Sequence, residues 1–280
     1  MRTPVIDAQV HVYERNHPGR PWVDALAGPP EVTAEDQVAA MDAVGVDGAL
    51  LVSVHLMYRY DASYAIEAHR RFPGRFGLIK PVDAADPAVA EVIADWAALP
   101  GTVAVRLMMR DDVSRDPADP GIGRILSAAG RQGMPVNLLA YGRLGQVADL
   151  AARYPDTQIV VDHLGISQPF HPPLQPDPWA DLPAVLALAQ APNVAIKLTG
   201  ACTLSAQGAP FDDIWGPVGR IIDAYGIGRC LWGTDWTRAV ALLTYAQGVA
   251  AFRDNPRFSA EERAALMGGN AQRLYRWSPA

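Results

Sequence analysis

The opening segment of the sequence, Val5–His11, ends in polar side chains that could do chemistry. Its apolar and β-branched residues predict a strand, in which successive side chains point to opposite faces. Asp7, Gln9 and His11 are therefore expected on one face. A buried face with three polar groups is costly unless the groups find partners, so this face is expected to border a site. A hydrogen-bonded core histidine is the alternative for His11 taken alone.

Two later apolar runs also end in groups that could react. The run Gln158–Gly165 contains His163, and the run Arg229–Trp236 contains Asp235. A carboxylate and imidazoles from separate strands can bind a divalent ion, polarise a carbonyl and activate water. That chemistry is hydrolysis, in which Asp235 would take a proton from the attacking water as general base.

Cationic side chains in two further strand-like runs could bind an anionic substrate. Arg106 can hold a carboxylate with two parallel hydrogen bonds, and Lys197 can add a second positive charge. Either residue could instead fill the interior with salt bridges, since such side chains are rarely buried without a partner. The same rim is expected to carry His55, Lys80, Asn137, Tyr141 and Thr199.

Strands and helices alternate along the whole chain. Eight strand candidates begin near residues 5, 47, 76, 102, 134, 157, 193 and 229, with a helical segment after each. This alternation implies parallel pairing, and near-continuous apolar strands imply burial on both faces. Eight such units in 280 residues indicate an α/β protein with one domain, a (β/α)8 TIM barrel. The active site of such a barrel lies at the carboxyl ends of its strands.

The connecting segments bear on both the fold and the site. A doubly wound open sheet is the alternative fold, but no glycine-rich phosphate loop follows any strand. The loop after His163 contains five prolines, and such a segment cannot continue a regular element. Its position predicts a lid over the site, the alternative being a surface spacer. The prolines are Pro169, Pro172, Pro173, Pro176 and Pro178.

The composition excludes several classes of function. Half of the residues are hydrophobic and the formal net charge is -6, so we expect no binding to nucleic acid or to an anionic membrane. Two cysteines are too few for a disulfide framework. No apolar run approaches the length of a membrane span. We expect a cytoplasmic protein whose partner is a small, anionic substrate, and the sequence leaves open whether it forms a homo-oligomer.

The chain resembles the amidohydrolase superfamily, and within it the smaller amidohydrolase-2 proteins. These include lactonases that act on pyrone dicarboxylate, muconolactone-type and sugar-acid lactones. The resemblance covers essentially the whole chain and implies a distorted (β/α)8 barrel, with Asp235 as catalytic base and His163 on the sixth strand. It is carried by Val5–His11, Val161–Gly165, Val194–Gly200, Leu231–Trp236 and Gly268–Ala271.

The first strand departs from the family pattern in a way that concerns metal binding. The family's strand usually ends His-x-His, whereas this sequence reads Gln9-Val10-His11. A carboxamide oxygen is a poorer zinc ligand than a neutral imidazole. We therefore expect either no required cofactor or one weakly bound divalent metal, zinc before others, on His11, His163 and Asp235. The resemblance also implies that a lactonase of this branch can work without metal, using arginines and a histidine.

The resulting prediction is a hydrolase that opens a lactone or related cyclic ester bearing a carboxylate. Its catalytic residues would be Asp235, His163 and His11. Two alternatives stay open: a non-hydrolytic relative such as an aromatic acid decarboxylase, and a catalytically inactive barrel that binds a ligand. Substrate contacts are expected from Gln9, His55, Arg106, Asn137, Tyr141 and Lys197.

Overall fold

The centre of the computed structural model is one sheet of eight parallel strands, which follow one another in sequence order. The structure describes residues 2–26, 28–109, 116–172 and 174–280. Each strand begins within two residues of its predicted start. The strands are β1 (Ile6–Val10), β2 (Gly48–Val52), β3 (Phe76–Pro81), β4 (Thr102–Met108), β5 (Val136–Leu139), β6 (Ile159–Val161), β7 (Val194–Lys197) and β8 (Cys230–Leu231).

Backbone hydrogen bonds join the last strand region to the first. The amide of Ala8 donates to the carbonyl of Trp232 at 3.1 Å, and the amide of Asp235 donates to the carbonyl of Gln9 at 3.0 Å. These bonds connect the segment that follows β8 to β1, so the sheet is a nearly closed barrel. The predicted (β/α)8 fold is confirmed, and the doubly wound alternative is wrong.

Helices separate the strands and cover the outside of the barrel. Most have an apolar stripe that packs against the strands, as a helix in a (β/α) unit must. The amino end of α1 is closed by a capping box between Thr33 and Asp36. The helices are α1 (Ala34–Ala43), α2 (His55–Tyr58), α3 (Ser63–Arg71), α4 (Val89–Ala97), α5 (Pro120–Arg131), α6 (Leu144–Arg153), α7 (Leu182–Leu188), α8 (Trp215–Tyr225), α9 (Tyr245–Arg253), α10 (Ala260–Ala264) and α11 (Asn270–Tyr275).

The barrel interior is filled in layers. Its amino-terminal end is apolar and is closed by Ala271 and Tyr275 of α11. The hydroxyl of Tyr275 reaches into the barrel and donates to Oδ1 of Asn137 at 2.8 Å. Charged side chains begin above this layer, towards the carboxyl ends of the strands. The apolar layer includes Ile6, Ala8, Leu50, Val52, Ile79, Val160, Ala195 and Leu231. None of the helices in the described residues is long and apolar enough to cross a bilayer.

The side chains of β1 do not alternate regularly. Both neighbours of Asp7 pack in the barrel interior, whereas Val10 packs in the outer core, and the register against β2 shifts between Asp7 and Val10. Asp7 therefore does not share a face with Gln9 and His11, and that prediction is wrong. Its carboxylate accepts hydrogen bonds from the amide of Thr234 at 2.9 Å and from its hydroxyl at 2.6 Å. An irregular strand thus separates one carboxylate from the site.

Lys80 also lies away from the predicted rim. Its neighbour Ile79 packs in the barrel interior, so regular alternation turns Lys80 outwards. The ammonium nitrogen lies 5.8 Å from the ring centroid of Trp96 on α4. The prediction that Lys80 converges on the site is wrong, because inward and outward positions differ by a single residue along a strand.

Candidate active site

A cavity of about 210 Å³ opens at the carboxyl ends of the strands. It brings together six of the predicted site residues, which come from different strands or from the segments that directly follow them. The six are His11, His55, Arg106, Tyr141, His163 and Asp235. The lining also has apolar side chains, including Leu26, Leu56, Met108, Leu139, Ile166 and Phe170. The cavity therefore combines polar groups, suited to chemistry, with apolar surface suited to the body of a small organic molecule.

Asp235 is the carboxylate of this cavity and is fully buried. It follows β8 with a left-handed backbone, φ 49°, which aspartate tolerates better than most residues. Its Oδ2 accepts a hydrogen bond from Nε of Arg238. Its Oδ1 lies 3.3 Å from Nε2 of His11, and among the described residues no hydrogen bond reaches Oδ1.

Charge keeps Asp235 ionised. Burial would raise the pKa of this carboxyl, but the positive charge of Arg238 outweighs it and, with His163 and His11, holds the pKa well below its usual range. The carboxylate is therefore an acceptor across the working pH range, although a group with so low a pKa is a weak base in the resting site.

The ring of His11 presents an acceptor to Asp235. Its Nδ1 lies 2.7 Å from the carbonyl oxygen of Val52, which can only accept, so Nδ1 carries the proton. In the neutral ring Nε2 then has a lone pair directed towards Oδ1 of Asp235 and towards the amide nitrogen of Gln9, 3.4 Å away. The amide of Gln9 can donate to this lone pair, whereas Oδ1 of Asp235 still needs a donor, and a water molecule on the cavity side is the simplest one.

A neighbouring cation, Arg106, determines which ring nitrogen of His163 carries the proton. Nη2 of Arg106 is 3.3 Å from Nε2 of His163, and because Arg106 can only donate, the ring proton belongs on Nδ1. Nδ1 faces the hydroxyl of Thr199 at 3.0 Å and Oδ2 of Asp235 at 3.5 Å. Burial lowers the pKa of His163 to about 3, so the ring is neutral near pH 7.

A second charged cluster lies beneath the cavity and contains Lys197. This side chain is fully buried, and its ammonium is 3.1 Å from Oδ1 of Asp162 and 2.7 Å from Oε1 of Gln9. Nε of Arg106 donates to Oδ2 of Asp162 at 2.8 Å. Burial would raise the pKa of Asp162, but Lys197 and Arg106 lower it well below its usual range. The cluster therefore has two cations for one carboxylate and carries one net positive charge inside the barrel.

Only some of the other residues predicted to bind the substrate border the cavity. Gln9, Asn137 and Lys197 lie in the barrel interior and do not border the cavity. Tyr141 stands at its mouth with 43% of its surface exposed. His55 begins α2 and borders the cavity, its ring centroid 5.2 Å from that of Tyr60. The salt-bridge alternative weighed for Lys197 thus matches its contacts.

Four residues at the site were missed from the sequence: Asp162, Gln168, Phe170 and Arg238. Asp162 could have been found, because buried Lys197 requires a carboxylate and Asp162 ends a strand. Arg238 follows Asp235 by one helical turn, which is a weaker signal. Gln168 and Phe170 belong to the proline-rich loop, which borders the cavity as expected of a lid, whereas Pro173 lies outside the described residues.

The donor set can be tested against a catalytic metal ion. Nε2 of His11 and Oδ1 of Asp235 face each other at 3.3 Å, a separation that two ligands of one zinc could have. The third expected ligand is missing, because Nε2 of His163 contacts Arg106 and Oε1 of Gln9 contacts Lys197. Among the described residues there is no group of three histidine, cysteine or acidic side chains with metal-binding geometry. These residues do not fit a three-ligand zinc site.

Known proteins share this fold and parts of this sequence. Over 213 residues, 74% of this chain and 66% of the relative, the chain is 26% identical to 4-sulfomuconolactone hydrolase from Hydrogenophaga intermedia. The aligned stretches span about half to two thirds of the curated relatives' own lengths. A crystal structure of an amidohydrolase from Burkholderia multivorans with bound zinc has a TM-score of 0.82 at 23% identity, covering 98% of this chain and 99% of that one.

A third comparison concerns a crystal structure from Pseudomonas putida, given as a candidate 2-pyrone-4,6-dicarboxylic acid hydrolase. It has a TM-score of 0.72 at 23% identity and covers 99% of this chain and 98% of its own. At that identity the two crystal structures show a shared fold. The family is shown by sequence, because the model of the amidohydrolase family Amidohydro_2 matches residues 6–277. The predicted resemblance is thus confirmed, and the chain belongs to the Amidohydro_2 family of amidohydrolases.

Proposed function

We propose that this protein hydrolyses a lactone, or a related cyclic ester, that carries a carboxylate. The observation that carries the proposal is Oδ1 of Asp235, a buried acceptor at the cavity wall that faces the lone pair of His11 and receives no hydrogen bond from the described residues. A water bound there would donate one hydrogen to Oδ1 of Asp235. Its oxygen would then be free to attack a carbonyl carbon in the cavity.

The proposed reaction needs one water molecule and the side chains of the site. The water oxygen bonds to the carbonyl carbon while its proton passes to Asp235. Even a weak base can take this proton, because the water becomes more acidic as its oxygen bonds to carbon. The ring carbon–oxygen bond then breaks, and the leaving oxygen takes the proton back from Asp235. The product is the open-chain hydroxy acid, or its keto form when the leaving oxygen is enolic.

Arginine is the best candidate for polarising the carbonyl. His163 is neutral near pH 7 because burial lowers its pKa to about 3, and Lys197 lies behind the cavity wall. Arg106 borders the cavity, so its guanidinium can stabilise the negative charge that develops on the carbonyl oxygen. We therefore infer that the reaction does not require a metal, consistent with the incomplete donor set described above.

The charge of the site favours an anionic substrate. Arg106, Arg238 and Lys197 face two buried carboxylates, Asp162 and Asp235, which leaves one positive charge when the histidines are neutral. The segment 110–115, outside the described residues, has two arginines and two aspartates and adds no net charge. One substrate carboxylate would balance this excess, and a divalent cation would increase it.

A panel of lactones and linear esters, followed by proton release, tests the proposal. We expect turnover of at least one carboxylate-bearing lactone, unchanged after treatment with a chelator and dialysis. Loss of activity on chelation and its return with zinc would show that a metal is required. Release of carbon dioxide from aromatic acids without any ester hydrolysis would favour the decarboxylase, and binding without turnover would favour the inactive barrel.

A further inference from the structure

Arg238 connects the carboxylate of the site to the loop that follows β6. Its Nε pairs with Oδ2 of Asp235 and its Nη2 with Oε1 of Gln168. Its Nη1 donates to the carbonyl of Pro169 at 2.9 Å, and the guanidinium lies 5.4 Å from the ring centroid of Phe170. One planar side chain, 7% exposed, thus uses three of its nitrogens and one face at the same time.

The loop end of this connection is itself fixed. The side-chain nitrogen Nε2 of Gln168 donates to the carbonyl of Thr199 at 2.9 Å. The side-chain oxygen Oε1 must therefore be the atom that accepts from Arg238. Gly200 packs against both side chains, and a Cβ at this position would collide with Gln168 and Arg238. A chain of contacts therefore runs from the end of β7, through the loop, to Asp235 after β8.

The contact on Oδ2 decides where the other oxygen of Asp235 points. With Oδ2 held by Arg238, rotation of the carboxylate is restricted and Oδ1 stays towards His11 and the cavity. Without that contact Oδ2 could turn towards Nδ1 of His163, 3.5 Å away. A small misplacement of a reacting group can cost about 100-fold in rate.

We infer that Arg238 is a positioning residue which makes the orientation of Asp235 depend on the docked loop after β6. The catalytic part of this inference rests on the proposed function. Its structural part, a link between Asp235 and the loop, stands on the contacts alone. Among the described residues, no hydrogen bond or ion pair joins Asp235 directly to Gln168. Arg238 pairs with both. A longer path runs through His163, whose carbonyl is 3.4 Å from Nε2 of Gln168 and whose Nδ1 is 3.5 Å from Oδ2 of Asp235.

The structural part is tested by hydrogen exchange of the backbone amides in 166–172, read by mass spectrometry on the whole protein. We expect Gln168→Met, which keeps the size of the side chain, to speed exchange in this segment by about 10-fold. Asp235→Asn should speed the same amides, although residue 235 makes no direct contact with the loop. Unchanged exchange in Asp235→Asn would overturn the link. Gln175→Met, an exposed change in the same loop that loses only a 3.5 Å contact to Oγ of Ser167, is the matched control and should change exchange far less than Gln168→Met.

The catalytic part is tested by steady-state kinetics on the best lactone. Arg238→Lys and Gln168→Met both keep a positive charge beside Asp235 but lose the guanidinium–amide link, so we expect each to lower kcat by about 10- to 100-fold. KM should change by less than about threefold. Normal kcat in Gln168→Met with a loosened loop would overturn the coupling. A raised KM with normal kcat in Arg238→Lys would make Arg238 a substrate-binding residue instead.

The two parts separate the possible failures. If no lactone or ester is turned over by the unaltered protein, the proposed function fails, while the exchange rates in Asp235→Asn and Gln168→Met still decide whether Arg238 couples the loop to the site. If lactones are hydrolysed and Asp235→Asn leaves the loop unchanged, the proposed function stands and the inference about Arg238 is wrong.

Discussion

The two buried aspartates at the carboxyl ends of β6 and β8 differ in how their oxygens are used. Both oxygens of Asp162 face cations, Lys197 at 3.1 Å and Arg106 at 2.8 Å. Only one oxygen of Asp235 is paired with a cation, Arg238, and the other faces an imidazole lone pair at the cavity. Both carboxylates are buried and both form an ion pair, so neither burial nor the presence of an ion pair distinguishes a structural carboxylate from a reactive one. The distinction is that Asp235 borders the cavity and its Oδ1 faces a histidine, whereas Asp162 does not border the cavity and its Oδ1 faces Lys197.

The largest effect on the rate of hydrolysis is expected from removing the negative charge of Asp235. Asp235→Asn should lower the rate of lactone hydrolysis by about 10²- to 10⁴-fold, the usual contribution of a general base. Asparagine tolerates the left-handed backbone at this position, so the fold should persist and calorimetric binding of the substrate should remain. Near-normal turnover would mean that another group is the base.

Removing a cation from the buried cluster of Lys197, Arg106 and Asp162 should lower the free energy of unfolding. Lys197→Met leaves Asp162 with one of its two cations, and removal of a partner from a buried pair costs about 3–5 kcal/mol. Urea unfolding would measure this loss, and the double variant Lys197→Met with Asp162→Asn should recover part of it. If stability is unchanged while KM for the substrate rises, Lys197 contacts the substrate, as the sequence led us to expect.

The fold could be predicted because its signal is repeated. Eight apolar runs with helices between them specify a closed parallel barrel even when single boundaries are uncertain by two residues. The polar ends of the first, sixth and eighth runs then place His11, His163 and Asp235 at one rim. Strand ends are reliable guides because all carboxyl ends of a parallel barrel meet at the same edge.

The contacts within the site could be predicted only in part. Strand periodicity placed Asp7 and Lys80 at the site, but a register shift in β1 and a single step of alternation in β3 turn both away. Arg238 reaches the site from a turn, and Gln168 from an irregular loop, where no period exists to assign a direction. Sequence patterns describe positions along regular strands, and they do not describe which side chain closes a hydrogen bond between two loops.

A third buried carboxylate, Asp7, differs from Asp162 and Asp235 in its pKa, and the pH dependence of stability can test this difference. Burial raises its pKa from the ordinary 3.8 to about 6. Because the folded pKa is raised, the stability that the protonated form contributes is present below about pH 4 and is lost as the pH rises through 6. The loss is about 3 kcal/mol, at about 1.4 kcal/mol for each pKa unit.

Urea unfolding of the unaltered protein and of Asp7→Asn between pH 4 and pH 8 would measure this loss. The difference in unfolding free energy should shift by about 3 kcal/mol in favour of the variant as the pH rises. Asp162 and Asp235 have lowered pKa values and change stability in the opposite direction, at lower pH, but they do so in both proteins and cancel. A constant difference across this range would show that Asp7 titrates normally.

The smallest effect is expected from Lys80→Met, which is the matched control for Lys197→Met. Both changes remove the charge of a strand lysine and keep most of its apolar length. Lys80 is partly exposed, and its ammonium lies 5.8 Å from the ring centroid of Trp96. Such a cation–π contact is worth about 0.5–1 kcal/mol at an exposed site, so unfolding in urea should change by no more than that and turnover should not change. A loss as large as that of Lys197→Met would mean that charge removal from any strand lysine destabilises the barrel, and that the cost at Lys197 does not arise from its buried pair with Asp162.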